Sequence, residues 1–289
     1  MGRMALETLL TVAPTGAETA KSDAPALPVT VDELVSTAKA CQAAGAAVIH
    51  VHLRDDDAQP TLDLGRAREA IAAIREATDL VVQISSGGAV TDSEDDRLAV
   101  LQADPDGASL TCGTVNFGTD VFMNRWEFIE RLYLEMRDRQ IVPEFELFDL
   151  GHVTTMRRLL DKHGAPYGGH VHCDLVMGVP GGMPGTTAAL SACVAALPEG
   201  ATFSATGVGR TTLPVMLASL SAGGHIRIGM EDTLTFSPGR PVRDNAELVE
   251  RAAEIARLAQ RPPMSPEAAR DMLGVRQDRP IPTQTGAHA

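Results

Sequence analysis

Two periodicities alternate along this chain, and the alternation repeats eight times. Short runs rich in β-branched and small apolar residues, at 6–12, 47–53, 80–85, 107–114, 141–148, 170–177, 201–206 and 225–230, read as strands. Between and after them, 30–44, 63–77, 92–102, 125–140, 153–163, 186–197, 211–222 and 244–258 carry the Ala/Leu/Arg/Glu spacing of amphipathic helices. Strict strand–helix alternation is the pattern of parallel βαβ units. Eight of them in roughly 250 residues fit a closed (β/α)8 TIM barrel of the α/β class better than an open doubly wound sheet. The expected domain is the whole chain, 1–289, with a C-terminal extension from about 261. That extension reads as a short helix and a loose end, available to a neighbouring subunit in a homo-dimer or homo-tetramer.

Composition narrows the function classes. A formal net charge of −13 argues against nucleic acid or an anionic membrane as partner, because affinity for polyphosphate comes from Lys and Arg. Glu7 and Pro14 interrupt the apolar start, and no later apolar run approaches the ~18 residues of a membrane span, so a cytoplasmic protein is expected. Cys41, Cys112, Cys173 and Cys193 form no Cys-x-x-Cys pair and read as reduced, buried small residues. Aromatics make up only 3% of the chain, leaving a core of Val, Leu, Ile and Ala.

Barrel enzymes place their chemistry where the strands run out into the following loops, and that is where the polar motifs fall. His50-Val51-His52 ends the second strand, and residues i and i+2 of a strand share a face, so two imidazoles emerge together. Glu231, just past the eighth strand, is the best-placed carboxylate to join them. Two imidazoles and one carboxylate leave an open coordination position, as in catalytic zinc sites. Asp232 beside Glu231 points elsewhere and is a candidate base. Arg227 sits mid-barrel on the same strand and needs a carboxylate partner, from Asp232, Glu144 or Glu146. A second pair, His170-Val171-His172, has about five strand residues after it, so it belongs lower in the barrel. Ser85-Ser-Gly-Gly88 and the loop 178–185 offer backbone N–H groups to an anionic ligand, or merely make turns. No Walker A loop or strand-linked Gly-x-Gly-x-x-Gly is present.

Taken together these segments resemble the β-keto acid cleavage enzyme family. The likeness rests on Thr15-Gly-Ala-Glu18, His50-Val-His-Leu-Arg-Asp55, Ser85-Ser-Gly-Gly88, Ala108-Ser-Leu-Thr-Cys-Gly113, Pro143-Glu-Phe-Glu-Leu-Phe-Asp149, Gly178-Val-Pro-Gly-Gly-Met-Pro184 and Gly224-His-Ile-Arg-Ile-Gly-Met-Glu-Asp232, in order along the chain. The resemblance implies a zinc-dependent (β/α)8 barrel that condenses a β-keto acid with acetyl-CoA and releases acetoacetate and a new acyl-CoA. It implies His50, His52 and Glu231 as zinc ligands and Ser85, Gly88 and Thr111 as binders of the keto acid. Arg227 with Asp232 becomes the catalytic pair, and Glu18 and Glu144 complete the polar pocket, Glu144 being chosen over Glu146. Glu18 further suggests a cationic group on the substrate, and Arg210, Arg240 or Arg243 are candidates for the CoA phosphates. Two departures stand out: Ser86 where the family often has Thr, and histidines on the sixth strand. The alternative is a metal-dependent hydrolase or aldolase, whose barrels also use a His-x-His; those sites usually set it on the first strand and often add a bridging lysine, whereas here Lys occurs only at 21, 39 and 162.

Overall fold

A computed structural model describes residues 7–277 and shows eight parallel strands closed into a barrel in chain order. The strands are β1 (Leu10–Val12), β2 (Val48–Val51), β3 (Val81–Ile84), β4 (Gly107–Thr111), β5 (Val142–Leu147), β6 (His172–Met177), β7 (Thr202–Gly207) and β8 (His225–Ile228). Each is followed by its helix: α1 (Val31–Ala44), α2 (Leu64–Ala77), α3 (Glu94–Ala99), α4 (Trp126–Asp138), α5 (Leu150–His163), α6 (Thr187–Ala196), α7 (Thr212–Ser221) and α8 (Asn245–Leu258). The expected (β/α)8 architecture is therefore the observed one.

Local chemistry explains most of the helix ends. Thr30 caps α1 with a capping box, its hydroxyl accepting from Glu33 N–H while Glu33 reaches back to the Thr30 N–H. Asp63, Ser93, Thr186 and Asp244 cap α2, α3, α6 and α8 through their side-chain oxygens. Several strands and helices are a few residues shorter than expected, and two helices differ in a way that local chemistry explains. The α5 helix starts at Leu150, three residues early, because Asp149 accepts from Gly151 N–H and holds a glycine inside the first turn. The third helix is shorter than expected and tightens after Ala99 into a 3-10 turn over Val100–Ala103.

The loops that follow β2, β4 and β8 fold into two-stranded hairpins at Leu53–Arg54/Pro60–Thr61, Val115–Phe117/Asp120–Phe122 and Thr235–Ser237/Arg240–Pro241. At the opposite end, a ninth helix, α9 (Pro266–Leu273), packs Ala269 and Leu273, with Val275 just beyond it, against Leu9, Val48, Val81 and Val142 at the strand starts. The described part of the C-terminal extension thus closes the floor of its own barrel, while the expected loose end falls outside the described residues. Asp106 secures this closure by accepting from Arg75 at 2.7 Å and from Arg270 at 3.3 Å. All four cysteines are buried and free, as expected. Among the described residues no helix is long and apolar enough to cross a membrane.

Histidines make the lower barrel sensitive to acid. Leu9 N–H donates to His225 Nδ1 at 3.0 Å, a bond that only the neutral ring can accept. Burial pulls the His225 ring down to about 4. An unfolded histidine titrates near 6.5, so the stability this ring contributes is fully present above about pH 6.5 and is lost as pH falls toward 4. We expect urea unfolding of wild type and a His225→Gln variant, compared from pH 8 to pH 4, to shift against the wild type below pH 6.5, by about 3 kcal/mol at most. A difference that stays constant across this range would show that the ring is not held neutral by the fold.

Candidate active site

At the C-terminal ends of the strands lies a cavity of about 390 Å³, inside the range of small-ligand sites. Its two sides differ in chemistry. Phe117, Phe122, Phe148, Val176, Val179 and Val208 form an apolar wall, to which the hairpin after β4 contributes both of its phenylalanines. Opposite them stand His52, Ser85, Glu146, Arg227, Glu231 and Asp232, with Gly16, Glu18 and Gly88 along the rim.

The His-x-His motif behaves as strand geometry requires. His50 belongs to β2 and His52 follows directly after it, with ring centroids 5.2 Å apart. Glu231 meets them from the far side of the β1–β8 seam, and one ligand atom from each of the three residues lies within 4.8 Å of the others. Two glycines make the approach possible. At Gly229 a Cβ would fall 1.8 Å from the Ala13 carbonyl oxygen, and at Gly16 a Cβ would fall 2.6 Å from Glu231 Cγ. Any larger residue at either position would push the Glu231 segment out of the cavity.

The three side chains fit a metal. Zinc–nitrogen and zinc–oxygen bonds of about 2.05 Å in tetrahedral geometry put neighbouring ligand atoms about 3.3 Å apart; His52 Nε2 and Glu231 Oε2 are 3.7 Å apart. Glu231 Oε2 is buried without a hydrogen-bond partner, while Oε1 of the same carboxylate takes a donor from Arg227. Burial holds both histidines below their ordinary range, His50 at about 4, so both are neutral and able to bind a cation. Burial acts to raise Glu231, but Arg227, joined in acid by the protonated forms of His52 and His50, outweighs it and brings its carboxyl down to about 2.

Arg227 is the hub. Buried on β8, it reaches Glu146 at 3.2 Å, Asp174 at 3.6 Å and Asp232 at 3.2 Å, besides its contact with Glu231. These carboxylates carry it well above the ordinary guanidinium range even though burial works the other way. One cation cannot neutralise four anions, and the shortfall shows at Asp232. Its burial, reinforced by Glu231, lifts that carboxyl to about 7 against the pull of Arg227. Asp174, fully buried and accepting from Thr206 Oγ1, is likewise pushed well above the carboxylate range by burial.

Most of the residues expected at the site from the sequence converge here: His52, Ser85, Gly88, Glu18, Arg227, Glu231 and Asp232 border the cavity, and His50 completes the ligand triad. Glu144 requires correction. Both strand-five acids face inward, but Glu144 lies one layer lower, beside Gln83 and His172, and the acid that borders the cavity is Glu146. Two residues along a strand amount to about 6.6 Å, enough to move a carboxylate from the mouth to the interior. Thr111 also stands behind the cavity wall, its hydroxyl donating to Glu146 Oε2 at 2.8 Å. The second histidine pair does lie low, as its position in the sequence implied: His172 opens β6, and His170 precedes the strand.

The glycine loops divide. Gly88, at φ +59, borders the cavity. In the loop after β6, Gly178, Gly182 and Met183 donate their N–H groups to Met183, Val179 and Phe148 carbonyls, so it is a self-bonded turn that offers an apolar wall. Ser86 donates to the Ser109 carbonyl at 2.6 Å and so serves the loop. Of the candidate CoA arginines, Arg240 and Arg243 pair with Glu247 and Asp244 of the α8 segment, and Arg210 is exposed just after Val208. Sequence reasoning passed over Gln83 and Asp174. Each has a signal, a polar residue at an inward position of an otherwise apolar strand, that only a barrel interior makes meaningful.

Comparison with known proteins agrees with this geometry. The model of the beta-keto acid cleavage enzyme family matches residues 7–275. The chain is 37% identical over 273 residues to the 3-keto-5-aminohexanoate cleavage enzyme of Acetoanaerobium sticklandii, covering 92% of this chain and 98% of that one. It is 34% identical over 272 residues to the 3-oxoadipate:acetyl-CoA acetyltransferase of Cupriavidus necator, covering 92% and 94%. In fold it is similar to the apo structure of ObcA, with a TM-score of 0.77 at 20% identity, the likeness covering 87% of this chain and 66% of that one. By sequence over nearly all of its described length, this chain belongs to the β-keto acid cleavage enzyme family.

Proposed function

We propose that this protein is a zinc-dependent acyltransferase that takes a β-keto acid and acetyl-CoA to acetoacetate and a new acyl-CoA. The observation that carries the reading is the convergence of His50, His52 and Glu231 on the polar side of a half-apolar cavity, in a chain of this family. Bound there, zinc supplies Lewis-acid polarisation of the substrate's keto and carboxylate oxygens, which acidifies the carbon between them. Asp232, with its carboxyl near 7, is poised as the base, and Arg227 orients it. Asp232 removes the proton, the carbanion bonds to the acetyl carbon, and the CoA thiolate moves to the other acyl carbon. The original carbon–carbon bond then breaks, and Asp232 returns the proton to acetoacetate. Ser85 and Gly88 hold the keto acid, Thr111 acts by positioning Glu146, and Glu146 takes the role expected of Glu144. Arg210 is the arginine best placed for the CoA phosphates.

The charges around the cavity favour a cationic substrate tail. Glu146, Glu231 and Asp232 are engaged by Arg227, the sole bordering cation among the described residues, which leaves Glu18 and Asp120 as exposed acids on the cavity border. Glu18 is exposed at the mouth, and the nearby Arg54 is occupied by the carbonyls of Gly16, Thr19 and Ala58. A homo-oligomer is the second part of the proposal. The outward side of α6 and α7, with Leu213, Leu217, Ala188 and Ala192 exposed, carries no charged residue, and on a chain of net charge −13 a second copy meets least repulsion there.

Acetoacetate release from acetyl-CoA and a panel of β-keto acids tests the reaction. Keto acids with an amino or trimethylammonium tail should react best, and Glu18→Gln should erode that preference by about 5-fold, the worth of a partly exposed charge pair. Hydrolysis of an amide or lactone, with no acetoacetate from any member, would favour the metal-dependent hydrolase or aldolase instead. Metal analysis should find about one zinc per chain in the wild type and none in His50→Ala. Asp232→Asn should keep the zinc and lose roughly 10²- to 10⁴-fold in turnover; an active Asp232→Asn enzyme removes the base assignment. Sedimentation should show an oligomer in the wild type and a smaller species for Leu217→Glu, and a monomeric wild type would refute the assembly.

A further inference from the structure

Beneath the metal-ligand triad lies a second polar layer. Gln83 sits in β3 directly beside His50 in β2, and its Oε1 is 2.5 Å from His50 Nδ1. An amide oxygen only accepts, so the proton of the neutral His50 ring must lie on Nδ1. The amide nitrogen of Gln83 faces Glu144 on β5 across a small cavity and acts to lower its carboxyl, as a donor does. Gly107, the partner of Gln83 in the intervening β4, brings no side chain between the two strands, and a Cβ there would already touch Gln83 Cγ at 3.7 Å. Glu144 is buried and has His172 Nε2 on its other side at 3.5 Å.

We infer that Gln83 is a positioning residue for the metal centre: its amide, held in one orientation by Glu144, fixes His50 as the Nδ1–H tautomer and presents the Nε2 lone pair to the metal. Three observations support it together. The Nδ1 contact assigns the tautomer. The amide cannot turn over without setting its oxygen against an oxygen of Glu144. Gln83 is itself 5% exposed, so no bulk water competes for either end. Removing the partner of a ligand's other ring nitrogen typically lowers metal affinity 10- to 100-fold, because the ring then samples the tautomer and orientations that cannot bind. The chain of contacts also accounts for Glu144, a buried inward-facing acid that lies away from the cavity.

This inference rests on the reading of His50, His52 and Glu231 as a metal site, and two readouts keep the two apart. In the zinc-free protein, long-range ¹H–¹⁵N spectra of labelled histidines should show His50 as the Nδ1–H tautomer, and in Gln83→Met, which has the same length but no amide, the Nε2–H form should appear. An Nε2–H tautomer in the wild type overturns the inference whether or not zinc binds. In competition titrations with a zinc chelator, Gln83→Met should bind about 10- to 100-fold more weakly than the wild type. Exchanging the two groups in Gln83→Glu/Glu144→Gln, which keeps an acceptor for Nδ1–H and sets a donor opposite it, should recover most of that loss. Wild-type affinity in Gln83→Met would overturn the positioning role and leave the metal site standing, whereas a wild type without zinc affinity would defeat the metal reading and leave the tautomer result to stand or fall by itself. Should Gln83→Met fail to fold, the wild-type tautomer and the zinc affinity of the exchanged Gln83→Glu/Glu144→Gln protein decide the question.

Discussion

The mouth of this barrel depends on one buried guanidinium. Arg227 rises from β8 into a ring of four carboxylates drawn from β5, β6 and the segment after β8, and neither side is tolerable without the other. A lone buried cation costs several kcal/mol, and four buried acids without it would repel one another or take up protons. The charge count is unequal, and that inequality is chemically useful. Glu231, backed by Arg227, stays ionised, while its neighbour Asp232 is lifted to about 7. Adjacent residues so separated can divide the work of anchoring a cation and moving a proton.

Around that centre the barrel keeps its polar groups in layers. Glu146, Asp174 and Arg227 lie at the level of the cavity floor, and Gln83, Glu144 and His172 form a tier beneath it. Short cross-strand hydrogen bonds satisfy most of these groups, Thr111 serving Glu146 and Thr206 serving Asp174. The cavity above is divided between this polar floor and a wall of phenylalanine and valine, part of it built on the hairpin after β4. Such a division suits a substrate that is polar at its reacting carbons and carries an acyl chain beyond them.

The fold was largely legible because strand and helix periods are local properties. Eight alternations left a closed barrel as the economical solution, and the His-x-His at the end of β2 was readable because the side-chain period of a strand is two. The differences are local in origin too. A glycine in the first turn hid the start of α5, and an apolar stretch after Ala99 concealed the 3-10 turn. At the site, the triad His50, His52 and Glu231 follows from places at or just past the ends of β2 and β8, whereas the choice of Asp232 among the possible partners of Arg227 comes from the family resemblance. Asp174 and Gln83 were not anticipated, because a single polar residue within an apolar strand gives no sign of which partner it faces.

By itself, then, the sequence determined the number and order of the strands, the rim on which the chemistry lies and the residue types gathered there. Only the tertiary structure decided that Glu146 and not Glu144 borders the cavity, that Thr111 bonds to Glu146, and that Gln83 stands between His50 and Glu144. The reason is geometric. Residues two apart on a strand share a face but not a layer, and the layer is set by the stagger of neighbouring strands around a closed barrel, a relation among chain segments far apart in sequence.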